Sequence, residues 1–271
     1  MIGVIVRGIA IGVTETVPGI SGSTVAMILG IYKRMLYSLS MLTTKRYKEV
    51  LPFLLTFGLG MVIGFGVALF TIDFLLQHFR TPTLLFFVGV ILGFLPYLWK
   101  EAVEESTLSF AAKHYMIMVI FFSIVIIGQF LGGGNDLQID SLSTADYVYM
   151  FVAGALASCA LVLPGISGAL TLTILGLYEL ATRSLIELHL PVVIPIGLGV
   201  VCGVLLISKL VRYLLRSYPT ETYAAIIGLV AASIFAILAN IEGALTPALI
   251  VSSVLTCLLG IVTVTLLAKT Q

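Results

Sequence analysis

The chain has 271 residues, 60% hydrophobic and only 10% charged, with a net charge of +1 and a mean hydropathy of +1.18. A soluble domain carries about 25% charged residues, so the composition excludes one and indicates an integral membrane protein with little mass outside the bilayer. No basic cluster with interleaved aromatics occurs, which argues against a nucleic-acid partner.

Residues 1–16 lack the basic start, short apolar core and cleavage site of a signal peptide and read as part of the mature fold. Next comes Val17-Pro18-Gly19-Ile20-Ser21-Gly22, inside apolar sequence, and then Leu29-Gly30-Ile31-Tyr32. Pro18 and Gly19 break a helix. Such a break in apolar sequence marks a helix interrupted at membrane depth. The segment 33–49 holds Lys33, Arg34, Lys45, Arg46 and Lys48 against Glu49 and reads as a cytoplasmic loop. Spans are expected at about 51–77, 83–99 and 114–131, with a turn at 78–82 and a polar loop at 100–113. Tyr97 and Trp99 fit an interfacial belt. Residues 132–146 are Gly-rich and acidic, with Asp136, Asp140 and Asp146, and read as an extracytoplasmic linker.

The second half repeats the plan. Leu163-Pro164-Gly165-Ile166-Ser167-Gly168 is its break, and Leu175-Gly176-Leu177-Tyr178 follows. Spans are expected at about 190–208, 221–240 and 246–268. Adding 146 maps Gly8 to Gly154, Pro18 to Pro164, Ser21 to Ser167 and Tyr32 to Tyr178. Beyond a shorter loop the offset is 139, mapping Gly60 to Gly199, Gly64 to Gly203 and Gly89 to Gly228. Ordered coincidences of this kind indicate internal duplication. The first repeat covers 1–131 and the second 147–271, each an expected re-entrant hairpin (about 3–37 and 147–181) plus three spans. The Gly rows at 58, 60, 64 and 197, 199, 203 read as close helix packing.

Charge sets the topology. With 33–49 inside, the linker falls outside. If 147–189 enters and leaves by the same face, Lys209, Arg212 and Arg216 come out inside, as short cytoplasmic loops prefer. If it crosses, they face outward. The expected fold is therefore all-α, with two inverted-topology repeats. Arms of about ten to sixteen residues, short for a span of about 20, agree with hairpins.

Two such tips can meet inside the membrane. The helix returning from each begins near Ser21-Gly22-Ser23-Thr24 or Ser167-Gly168, with free N–H groups that suit an anion. The plain alternative is that Pro18-Gly19 and Pro164-Gly165 turn the chain and the serines cap the helices. Glu15 is the one acid inside a hairpin arm, and its repeat mate is Leu161. It is a candidate proton carrier, or a neutral partner for the broken backbone. Arg7 reaches a lipid headgroup or snorkels to the interface. Lys209, Arg212 and Arg216 share a helical face and either gather phosphate at a cytoplasmic mouth or anchor the protein. His78 and Arg80 stand at the opposite face. Cys159, Cys202 and Cys257 read as reduced packing residues, with no spacing for a metal. No cofactor is expected, and a homo-oligomer is compatible with the sequence.

The pattern Gly12-x-x-Glu15-x-Val17-Pro18-Gly19-Ile20-Ser21-Gly22-Ser23-Thr24, with Leu29 to Tyr32, resembles the bacterial polyprenyl-phosphate transporter family (PopT). Leu163 to Tyr178 resembles that family's second motif. The resemblance spans nearly the whole chain. It implies a multi-pass protein of the bacterial cell membrane that returns undecaprenyl phosphate, the lipid carrier of cell-wall synthesis, from the outer to the cytoplasmic leaflet. The alternatives are a membrane lipid phosphatase, which needs an acid or metal cluster, and a transporter of a small soluble anion.

Overall fold

The computed structural model describes residues 2–15, 21–105, 109–130, 142–239, 241 and 246–268. Pro18 and Gly19, most of the linker, Glu242 and Lys269 lie outside the described residues. All regular structure among the described residues is helical. The first half holds α1 (Ile2–Thr14), α2 (Gly22–Ile28), α3 (Tyr32–Met41), α4 (Tyr47–His78), α5 (Arg80–Glu105) and α6 (Ala112–Phe130). The second holds α7 (Thr144–Val162), α8 (Gly168–Ile174), α9 (Tyr178–Ile186), α10 (Leu190–Ser217), α11 (Pro219–Leu238) and α12 (Pro247–Ala268).

Among the described residues, seven helices are long and apolar enough to cross a membrane: α4, α5, α6, α7, α10, α11 and α12. The one beyond sequence expectation is α7. It has 19 residues, because Ser143 and Asp146 form a capping box that starts it ahead of the apolar run. The seven-residue α8 rises only about 10 Å and cannot cross. After α7 the chain doubles back, and the Tyr149 hydroxyl near its start donates to Leu175 O at 2.6 Å, just past α8.

Helices also outrun the apolar runs. The basic segment expected as a loop forms α3 and the start of α4; α5 continues to Glu105 and α10 to Ser217. The turn expected at 78–82 shrinks to Phe79. Lys, Arg and Glu sustain a helix as well as Leu does, so hydropathy marks where the bilayer ends and not where the helix ends. The Leu-Gly-(Ile/Leu)-Tyr motif ends α2 and α8 identically. Gly30 (φ 65°) and Gly176 (φ 66°) adopt the left-handed conformation. Ile31 N–H donates to Ala26 O and Leu177 N–H to Leu172 O, closing Schellman caps.

Lipid supplies no hydrophobic drive between helices, so close backbone contact holds the bundle. α1 packs on α4, α7 on α10, α5 on α12 and α11 on α6. Exchanging the two halves maps the first pair onto the second and the third onto the fourth. At every pair a glycine lies against the facing backbone: Gly60 against Ile5 and Gly64 against Ile9, Gly199 against Phe151 and Gly203 against Ala155. These equal steps make α1 parallel to α4 and α7 parallel to α10. Gly89 lies against Cys257 and Gly228 against Met118. Gly58 and Gly197 do not belong to these seams, since a Cβ there meets open space. Cys202, expected as a packing residue, is exposed. α11 is the most enclosed span, with 61% of its apolar window buried against 11% for α6.

Gly12 lies against the Met61 backbone in the α1–α4 seam; Gly12→Ala and Gly199→Ala will each cost about 1–3 kcal/mol or more by forcing a helix pair apart, while Gly58→Ala and Gly197→Ala will be neutral or slightly stabilising. Thermal unfolding of the purified variants in detergent checks the contrast.

Candidate functional site

The end of α7 creates an acceptor problem. Pro164 has no N–H, so Ala160 O, four residues earlier, loses its helical partner. Val162 and Leu163 likewise present the open carbonyls of a helix terminus. Left unpaired inside the bundle, each costs about 1–3 kcal/mol.

The other half supplies the partners. The Ser21 hydroxyl lies 2.9 Å from Ala160 O and donates to it. Ser23 Oγ lies 2.6 Å from Ser21 Oγ and 3.4 Å from Ala160 O. One consistent arrangement is a chain in which Ser23 donates to Ser21 and Ser21 to the carbonyl. The Tyr32 hydroxyl donates to Val162 O at 2.9 Å. In return Gly165 N–H donates to Thr24 Oγ1 at 2.9 Å. Ser21, Ser23, Thr24 and Tyr32 are all buried. The two motifs, 146 residues apart in sequence, thus touch directly.

Neither Ser21 nor Ser167 caps its helix with its side chain, so capping does not explain these serines. The first amide of α2, Gly22 N–H, donates to Glu15 Oε1 at 3.1 Å. Glu15 therefore holds the place an anion would take at that end. Leu161, its repeat mate, has no acceptor to offer. Gly165 has φ +88°, and a Cβ there would overlap the backbone of Leu229 and Val230 on α11. Ser167 is buried. At Gly168 a Cβ would meet Ala157 O at an ordinary 3.5 Å.

Two cavities lie in the bundle, and the first reaches this contact through Thr24. One, of about 1230 Å³, lies between α1 and α2 on one side and α5 and α12 on the other. Thr14 and Thr24 line it, and so do His78 and Arg80 from the α4–α5 junction. The other, of about 240 Å³, is lined by Lys33, Glu105, Arg212, Arg216 and Tyr223. Arg212 Nη1 donates to Ser40 Oγ at 3.1 Å, and its guanidinium lies 4.6 Å over the Tyr37 ring. Lys33 pairs with Glu101 at 3.2 Å and Glu105 at 2.9 Å. The Tyr223 hydroxyl lies 3.1 Å from Glu101 Oε1. Four helices, α3, α5, α10 and α11, meet in this cluster.

Of the three basic residues singled out on α10, Arg212 and Arg216 line the small cavity and Lys209, which is exposed, does not. Arg7 is exposed on α1 and lines neither cavity. Sequence reasoning missed Lys33, grouping it with a loop. The signal available was its repeat mate: Glu179 occupies the equivalent place after Tyr178, with inverted charge.

Thr24→Val will strand the buried Gly165 N–H and cost about 1–3 kcal/mol, whereas Thr24→Ser will keep the acceptor and most of the stability. Chemical or thermal unfolding in detergent distinguishes the two.

A family model described as VCA0040-like, undecaprenyl phosphate translocase-like, matches residues 11–245. The chain is 34% identical over 241 residues to the polyprenyl-phosphate transporter of Staphylococcus aureus (strain NCTC 8325 / PS 47), covering 86% of this chain and 84% of that protein. It is 27% identical over 236 residues to the polyprenyl-phosphate transporter of Vibrio cholerae serotype O1 (strain ATCC 39315 / El Tor Inaba N16961), covering 82% of this chain and 73% of that protein. No solved structure matches it significantly. With seven apolar helices among its described residues it is a multi-pass bacterial membrane protein, and it belongs to the undecaprenyl phosphate translocase-like family.

Proposed function

We propose that the chain is a transporter that moves a polyprenyl phosphate, undecaprenyl phosphate in particular, from the outer to the cytoplasmic leaflet by alternating access. The observation that carries this reading is the direct engagement of the two broken motifs, one from each half, inside a membrane bundle. Relatives named polyprenyl-phosphate transporters support it.

The chemistry runs as follows. Ser21, Ser23 and Thr24 are hydroxyls bound to the opposite motif in this conformation. A phosphate is a stronger, charged acceptor for the two serine hydroxyls than a carbonyl. Its arrival draws these two hydroxyls away from the opposite half and loosens the contact, while Gly22, Ser167 and Gly168 offer it further donors at the two tips. A ligand shifts a conformational equilibrium only through such differential contacts. Glu15 already holds the Gly22 amide. Two anions at one amide repel, so Glu15 must take a proton or move aside as phosphate enters. The protonation route couples a proton to the step; the displacement route does not.

Helix directions fit inverted repeats. The positive-inside rule puts Lys33, Lys113 and Arg212 on the cytoplasmic side, where the structure clusters Lys33 and Arg212 around one cavity. α4 then runs outward and α10 inward. α1 is parallel to the first and α7 to the second, so the hairpins enter from opposite faces. Arg212, Arg216 and Lys33 receive the phosphate at the inner mouth. A small soluble anion fits less well, because the larger cavity is mainly apolar.

In proteoliposomes, the wild-type protein will expose fluorescently tagged polyprenyl phosphate to a membrane-impermeant quencher at a protein-dependent rate. Glu15→Gln and Ser21→Ala will each slow this about tenfold or more, equivalent to about 1.4 kcal/mol. The Arg212→Gln/Arg216→Gln pair, which removes two of the cations at the inner mouth, will also slow transport. A wild-type protein that leaves the quenching rate at that of empty vesicles ends the proposal.

A further inference from the structure

The larger cavity has a shape and a polarity that the motif contact does not explain. It follows α12 from Thr246 to Leu267, 21 residues apart and therefore about 32 Å along a helix. That is close to the thickness of a bilayer's hydrocarbon core, about 30 Å. Its volume of about 1230 Å³ exceeds the ~300–1,000 Å³ typical of small-molecule pockets. Ile72, Leu75, Phe86, Phe87 and Val90 make one wall, and Val25 and Ile28 face the motif.

Charge is confined to one end. Among the lining residues whose side chains are described, Arg80 is the one that carries a formal charge, and it also makes contacts of its own within the protein. Arg80 sits with His78 and Thr81 at the start of α5. The wall of α12 is apolar apart from a row of hydroxyls at Ser252, Thr256 and Thr263. These bond back to their own helix, to Leu249 O, Ser253 O and Leu259 O. They add little polarity at rest but become donors on rotation.

We propose that this cavity seats a polyprenyl phosphate lengthwise, its phosphate at the His78–Arg80 end and its isoprenoid tail between α5, α12 and the α1–α2 arm. This rests on the transporter reading above and adds to it the place where substrate enters. A long, thin apolar body with one small anionic head matches a long apolar slot with an arginine at one end. A soluble anion has no use for the slot, and an uncharged polyprenol has no use for Arg80. Thr24 lines the same cavity and also holds Gly165 N–H, so an occupant lies against the contact it must open.

The test uses the full chain in detergent, with Ser252→Cys as a near-isosteric reporter and its maleimide labelling measured above that of the native cysteines. Undecaprenyl phosphate will slow labelling of Ser252→Cys at least about fivefold. Inorganic phosphate will leave it unchanged. Arg80→Gln will weaken undecaprenyl phosphate about tenfold, the loss of one charge-assisted contact, and leave undecaprenol binding as it was. If the unsubstituted protein binds no undecaprenyl phosphate, the functional reading and this inference fall together. If it binds and Ser252→Cys labels at an unchanged rate, the inference alone falls. Equal protection by phosphatidylglycerol overturns it in favour of a general phospholipid groove. An equal loss of phosphate and alcohol binding in Arg80→Gln overturns the placement of the headgroup.

Discussion

A proline in a membrane-buried helix leaves one carbonyl without a donor, and hydrocarbon offers none. In this protein Pro164 strands Ala160 O, and the Ser21 hydroxyl from the other half answers it. Tyr32 does the same for Val162 O, while Thr24 accepts from Gly165. The break in one half is stable only because the other half is present. This reciprocal repair fixes where α2 sits against α7 and brings the two motifs together. It also makes the contact conditional, since any better acceptor for the hydroxyls competes with it.

Around that contact the bundle is held by backbone proximity. Glycine seams join α1 to α4 and α7 to α10, and the outer helices are exchanged, α5 on α12 and α6 on α11. Because each half lends a helix to the other, neither can open as a separate unit without sliding along these seams. Smooth glycine faces permit such sliding better than interlocked large side chains.

The two ends of the molecule differ. At one, Lys33, Glu101, Glu105, Arg212 and Tyr223 draw α3, α5, α10 and α11 into a bonded cluster around a small cavity. At the other, the α4–α5 junction and the start of α12 border a large one. Sequence symmetry does not extend to these residues: Glu15 pairs with Leu161 and Lys33 with Glu179. A duplicated sequence plan thus carries unlike chemistry on its two sides.

The sequence alone determined that the chain is helical, membrane-embedded and interrupted at two similar motifs, because apolar length, charge scarcity and Pro-Gly breaks are local properties of consecutive residues. Leu29 to Tyr32 and Leu175 to Tyr178 were legible as a repeated motif for the same reason, and the structure shows that each closes a helix. Helix length was less legible: the capping box at Ser143 and the polar ends of α5 and α10 continue helices past where hydropathy stops. What Ser21 and Thr24 bond to was not legible at all. Their partners lie some 140 residues away, and only the packing of α2 against the end of α7 decides that these hydroxyls serve a neighbouring backbone rather than their own. Likewise Gly60 and Gly58 read alike in sequence, yet only one faces another helix, because the rotation of a helix about its axis is set by its neighbours and not by its own residues.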